Sequence, residues 1–150
     1  MKDCWEIRKA EEVDAPALEK CMHAAYRSYT DRIDPADLPP LNVDYADEVR
    51  ECEVWIAEAE ARLVGALILV VDDDHLQIAN IAVHPEFQGK GLGRGLLDFA
   101  EKEAMRLGVS RMSLATHPAL EENLSLYRYL GWTEFERGVS HVRIRRSVGD

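Results

Sequence analysis

Cysteine is scarce in this chain, and its placement excludes two kinds of protein. Cys4, Cys21 and Cys52 are the three present in 150 residues. Odd in number, far apart and without a C-x-x-C pair, they suit neither a disulfide framework nor a zinc site. They read as ordinary reduced thiols. Long apolar runs are missing as well. No stretch approaches the roughly 18 consecutive apolar residues of a membrane span, and Met1-Lys2-Asp3-Cys4-Trp5 lacks a signal-peptide apolar region. The expectation is a soluble, cytoplasmic protein with no membrane partner. Internal repeats, linkers and low-complexity tracts are also lacking. With 47% hydrophobic and 31% charged residues, disordered and collagen-like chains are excluded, and residues 1–150 are expected to form a single globular domain with its own core.

The first half is poor in bases. Residues 1–74 carry 19 acids and 8 bases, a net of −11, whereas residues 75–150 carry 9 acids and 10 bases, a net of +1, which together make the −10 of the whole. An acidic half disfavours nucleic acid and anionic membranes and attracts cations, so no nucleic-acid partner is expected. Acids also serve simply to keep a surface soluble.

Periodicity places the elements. Residues 4–8 alternate as a short strand. Asp14 and Pro16 mark the start of a helix over residues 15–29, on which Ala17, Leu18, Cys21, Met22, Ala25 and Tyr26 recur at helical spacing. Pro35, Pro39 and Pro40 break residues 30–44 into a loop of the kind that carries substrate contacts, and a short helix follows over 45–50. Residues 53–58 and 63–71 read as a hairpin. Asp72-Asp73-Asp74-His75 offers ligand atoms without ligand-loop spacing, so solvated turn residues are the ordinary explanation and no metal is expected.

Residues 76–83 are apolar enough for a central strand covered on both faces. Asn80 interrupts them, and must either satisfy neighbouring backbone or point into a cleft. A helix follows, with Leu92, Leu96, Phe99, Ala100 and Leu107 in one stripe and Gly108 as its stop. Glu103 falls inside that stripe, as a rim carboxylate paired with an arginine would. Residues 111–116 form a strand and 119–130 a helix ended by Gly131, and 132–135 with 139–144 form a terminal hairpin around Gly138. The fold class is therefore α+β, a mostly antiparallel mixed sheet of about seven strands with helices on both faces.

Between the central strand and its following helix stands Val83-His84-Pro85-Glu86-Phe87-Gln88-Gly89-Lys90-Gly91-Leu92-Gly93-Arg94. Glycines let backbone approach a ligand, and the unpaired amides of a first helical turn, with the positive end of the helix dipole, favour phosphate. Lys90 and Arg94 add formal charge there. Two common nucleotide motifs do not fit. No Lys-Ser or Lys-Thr follows the glycines, as a P-loop requires, and the glycine spacing and mid-chain position differ from the dinucleotide fingerprint.

The string from Ile81 to Gly93 closely resembles the acyl-coenzyme A signature of the GCN5-related N-acetyltransferases (GNAT), in which Gln or Arg is followed by x-x-G-x and then Gly or Ala. Gln88, Gly91 and Gly93 stand in the defining places, after the usual A-V-x-P. A second string, Leu126-Tyr127-Arg128-Tyr129-Leu130-Gly131-Trp132, resembles that family's L-Y-x-x-x-G segment ending in Phe or Trp. The resemblance covers about residues 54–146 well and the first third only in element order.

It implies a GNAT-like fold and an acyltransferase that passes an acetyl group from its co-substrate acetyl-CoA to a primary amine of a small molecule or peptide, by direct attack. Gln88, Gly89, Lys90, Gly91, Leu92, Gly93 and Arg94 would bind the coenzyme A pyrophosphate, chiefly through backbone amides, and Ile81, Ala82 and Val83 would offer backbone groups to pantetheine. Tyr127 would be general acid to the departing thiolate, although a core aromatic on a helix stripe also fits it.

Departures from the family pattern matter too. Leu120 and Asn123 stand where many members carry asparagine and alanine, which makes Asn123 a candidate pantetheine contact. Gln77 and Ala115 stand where some members carry a glutamate base, which leaves bulk water, a water chain or the catalytic candidate His117 to take the amine's proton. That missing carboxylate keeps open a different class, a non-catalytic acyl-CoA binding or regulatory module. The acidic half suggests a cationic acceptor, and the resemblance makes a homodimer one expectation.

Overall fold

Alternating apolar residues, glycine stops and proline breaks translate into eleven helices and strands in a computed structural model that describes residues 5–149. In chain order they are β1 (Glu6–Lys9), α1 (Ala15–Arg27), α2 (Tyr45–Glu51), β2 (Glu53–Ala59), β3 (Arg62–Val71), β4 (His75–Val83), α3 (Leu92–Leu107), β5 (Arg111–Thr116), α4 (Glu121–Tyr129), β6 (Thr133–Arg137) and β7 (Val142–Ser147). Cys4, the first residue of the expected opening strand, lies outside the described residues. The seven strands make one sheet in the order β1-β2-β3-β4-β5-β7-β6, antiparallel except where β4 runs beside β5. No helix among the described residues is long and apolar enough to cross a membrane.

Period-two alternation sends each strand's side chains to opposite faces. In β3, Ala66 and Ile68 pack with Leu18, Met22 and Ala25 of α1, while Leu67 and Leu69 pack with Leu92, Leu96 and Ala100 of α3. The sheet thus carries helices on both faces.

Two irregularities open the sheet at its centre. β4 and β5 pair only from His75↔Arg111 to Ile78↔Leu114, so the later part of β4 is free of β5 and the two strands splay. β4 also carries a bulge, because Ile68 pairs with Asn80 while the next residue, Leu69, pairs with Ile78. Ala79 is the extra residue. It reverses the alternation, with Leu76 and Ile78 facing α3 before it and Ile81 and Val83 after it. Asn80 is thereby turned to the α1 side.

Three local expectations are corrected. Asp14 does not cap α1 with its side chain; its carboxylate accepts two bonds from Arg8, both 2.9 Å, and one from the Glu11 amide at 2.8 Å. Leu107 is exposed, and Ala104, four residues after Ala100, is the buried member of the α3 stripe. The last strand starts at Val142 because residues 138–141 close the turn, with the Gly138 amide donating to the His141 carbonyl at 2.8 Å. Glu103 does pair with Arg106, at 2.9 Å.

The Arg8 guanidinium holds the Asp14 carboxyl below its usual range, chiefly by hydrogen bonding. A depressed carboxyl contributes stability above its unfolded pKa of about 4, and that contribution is lost as pH falls through the lower folded value. Arg8 is half-exposed, so solvent screening limits the contribution. Asp14→Asn should cost about 1 kcal/mol at pH 7. Thermal melts of variant and wild type should converge in acid once the folded carboxyl is protonated; a gap that persists there would assign the effect to something other than this pair.

Candidate active site

Pro85 cannot continue the β4 ladder, and the chain turns through a short 3-10 segment, Pro85–Phe87, whose Glu86 amide donates to His84 Nδ1 at 3.1 Å. The Gln88 side-chain amide reaches back to the Val83 carbonyl at 3.3 Å and closes the loop on its strand. Gly89 and Gly91 then adopt left-handed backbone, φ 80° and 87°, which L side chains resist. Gly91 is the residue before α3, and the first helical bond runs from the Gly95 amide to the Gly91 carbonyl at 3.0 Å. The amides of the first turn precede that ladder and lie at the positive end of the helix dipole. Lys90 is exposed, with Nζ 5.2 Å from the centre of the Phe87 ring.

The splay between β4 and β5, this loop and the start of α4 enclose one cleft of about 880 Å³. It brings together Ile81, Ala82, Val83, Gln88, Gly93, Arg94, Asn123, His117 and Tyr127 from the residues singled out in the sequence. Gly89, Lys90 and Gly91 stand exposed on the loop outside that lining, and Leu92 is buried in the core. Apart from the Lys90 ammonium, backbone amides are what these four can offer a ligand.

Tyr127, on α4, is 8% exposed and meets Trp132 edge-on at 6.0 Å. It is both a core aromatic and a wall of the cleft. Burial pushes its phenol up to about 12, so it holds its proton at any ordinary pH. His117 follows β5, and its Nδ1 accepts from the Ala119 amide at 3.0 Å. With that lone pair engaged, the neutral ring carries its proton on Nε2. His117 therefore presents a donor to the cleft in this arrangement.

The far end of the cleft is built by Tyr26, Tyr29, Arg32, Asp37, Asn80, Glu122, Ser140 and His141. Arg32 crosses from the loop after α1 to α4, donating to both Glu122 oxygens at 3.1 and 2.7 Å and to the Ala119 carbonyl at 3.3 Å. Beneath it Ile33, Leu38 and Leu120 form a small core. The proline-broken segment is thus tied down across the cleft. Tyr26 Oη lies 3.0 Å from Asn80 Oδ1 and 3.1 Å from the Ile81 carbonyl oxygen. Sequence reasoning reached Asn80 and the loop but took Tyr26 for core and missed the Arg32–Glu122 pair. Two tyrosines three apart, Tyr26 near the end of α1 and Tyr29 just past it, were the available signal; the ion pair, between residues 90 apart, left none.

Comparison with known proteins agrees with this geometry. The profile of the acetyltransferase (GNAT) family matches residues 18–132. An Escherichia coli protein named uncharacterized N-acetyltransferase YjgM is 29% identical over 86 residues, 55% of this chain and 52% of its own length. The ribosomal protein bS18-alanine N-acetyltransferase of Salmonella typhimurium is 36% identical over 76 residues, 51% of each chain. These matches span about half the length of the relatives. Among solved structures, the PaiA N-acetyltransferase from Thermoplasma acidophilum in complex with coenzyme A superposes with a TM-score of 0.86 at 19% identity, over 97% of this chain and 99% of that one. The ribosomal-protein-S18-alanine N-acetyltransferase of Escherichia coli gives 0.73 at 19% identity, over 97% and 94%. Identities this low speak for the fold alone.

Proposed function

The chain belongs to the acetyltransferase (GNAT) family, and from that premise we propose that it transfers the acetyl group of acetyl-CoA to a primary amine by direct attack. One observation carries the proposal: Gln88, Gly93 and Arg94 on either side of the glycine turn, the part of β4 beyond its pairing with β5, and Tyr127 border a single continuous cleft whose other end is open to an acceptor. The loop amides hold the pyrophosphate, and the part of β4 beyond its pairing with β5 offers backbone groups to pantetheine. A backbone N–H at the bulge supports the carbonyl oxygen as negative charge develops on it. The amine nitrogen forms the new bond to carbon, the carbon–sulfur bond breaks, the thiolate takes its proton from Tyr127, and the proton released by the amine nitrogen passes through water to restore the phenol.

The acceptor is a small amine or a peptidyl amino group. Relatives named for acetylating an alanine of ribosomal protein bS18 support the second. Thiol release from acetyl-CoA over a panel of amines is the deciding assay. Amine-dependent release is expected; binding of coenzyme A with no turnover across the panel would instead support a non-catalytic acyl-CoA binding module.

Gln77 lies outside the cleft and Ala115 within it has no base, and of the two carboxylates among the described lining residues Glu122 is paired with Arg32 and Asp37 is exposed. The acceptor must therefore attack as the free amine, and the proton it releases as the amide forms goes to water. For two amines of different basicity, kcat/KM should rise with pH and level off at each amine's own pKa. A plateau shared by both amines would point instead to a base on the enzyme.

A further inference from the structure

A phenol has one proton, yet Tyr26 Oη faces two carbonyl oxygens, Asn80 Oδ1 at 3.0 Å and Ile81 O at 3.1 Å. If both are acceptors, one contact sets two lone pairs against each other, which is costly out of water. The oxygen and nitrogen of an asparagine amide are told apart by the bonds they make. Turning the Asn80 amide over resolves the conflict. Tyr26 then donates to the Ile81 carbonyl, Asn80 Nδ2 donates to Tyr26 Oη, and each contact holds one proton. Asn80 Oδ1 becomes the atom presented to the cleft.

We infer that Asn80 orients the acceptor: its amide carbonyl, held in place by Tyr26, accepts a hydrogen bond from the attacking amine and so aims the nitrogen lone pair at the acetyl carbonyl. The inference rests on the acetyl-transfer reading and names what that site recognises. The bulge at Ala79 puts Asn80 on the α1 face, within the same cleft as Tyr127. Using one N–H on Asn80 leaves another to be lost as the proton, so the acceptor is a primary amine, and secondary amines, with a single N–H, are poor substrates. The acceptor carries no second cation close to that nitrogen. Among the described residues lining the cleft, Glu122 is paired with Arg32, and Asp37 is exposed at the rim.

The test uses purified full-length protein, acetyl-CoA and the best amine of the panel. Asn80→Leu, close in size but without hydrogen bonding, should lower kcat/KM for the amine about tenfold, the scale of one lost hydrogen bond, and leave the KM for acetyl-CoA within about twofold. Tyr26→Phe should lower the same parameter by a smaller factor. On wild-type protein, proton NMR with nitrogen-15 labelling should find the Asn80 side-chain NH2 protected from exchange and close to the Tyr26 ring. Unchanged amine kinetics in Asn80→Leu, a loss confined to the acetyl-CoA KM, or an NH2 that exchanges freely with water each overturns the inference. A wild type that acetylates no amine overturns the transferase reading itself, a failure distinct from wild-type turnover that Asn80→Leu does not alter.

Discussion

Gly91→Val is expected to lower acetyl-CoA affinity about a hundredfold or more, a larger loss than any single charge in the loop can cause. Gly91 has φ 87°, a conformation that costs an L residue about 1–2 kcal/mol and a β-branched one more. Valine therefore does not sit in this turn, and the loop rearranges at the start of α3, where the first-turn amides are aimed. Losing two amide bonds to a phosphate, at about 1.5–3 kcal/mol each, accounts for the hundredfold at about 1.4 kcal/mol per decade. Lys90→Ala should cost less than about fivefold, because its ammonium stands in water, where an exposed ion pair contributes up to about 1 kcal/mol. Calorimetric titration with acetyl-CoA checks both, on variants that still unfold cooperatively without ligand, as expected for two exposed positions. If Lys90→Ala costs more than Gly91→Val, the ligand is held by charge and the amide cradle is the wrong description.

What could be foreseen about this molecule follows from how local each feature is. The glycine turn, the stop at Gly108 and the end of α4 were legible because left-handed residues, φ 87°, 75° and 95° at Gly91, Gly108 and Gly131, announce themselves as glycine. The β2–β3 turn was legible by spacing, although Glu60 and Ala61 take positive φ of 55° and 62° there without a glycine. Other features arise only when distant segments meet. The Ala79 bulge exists because β3 pairs out of step on either side of it, and no glycine or proline in β4 marks the place. Val139 looks like a strand residue, and turn closure by Gly138 and His141 overrides its propensity. The proposed donor half of the site, Tyr127 and Asn123 on α4 apart, lies on β4, the loop and the start of α3, so one stretch of sequence names most of it. The other end of the cleft, proposed for the acceptor, draws on α1, the following loop, β4, α4 and the β6–β7 turn, and only the packed fold assembles it.

Tyr127→Phe should reduce kcat about a hundredfold with the KM for acetyl-CoA changed by no more than a few fold. The substitution removes one oxygen and keeps the ring that packs on Trp132 at 6.0 Å, so packing is preserved and the lost function is the proton donor. General acids contribute roughly 10² to 10⁴ in rate. A thiolate, with a thiol pKa of about 8.5, is already a fair leaving group, which places this case at the lower end. The pH profile separates proton donation from mere positioning. Burial pushes the phenol up to about 12, so the wild type keeps its donor through pH about 10 and kcat should show no alkaline fall below that. An alkaline limb near pH 9 that disappears in Tyr127→Phe would mean that the phenol titrates lower, stabilised as an anion by something in the bound complex. Full turnover of Tyr127→Phe at every pH would leave the thiolate to be protonated by water and return Tyr127 to the core.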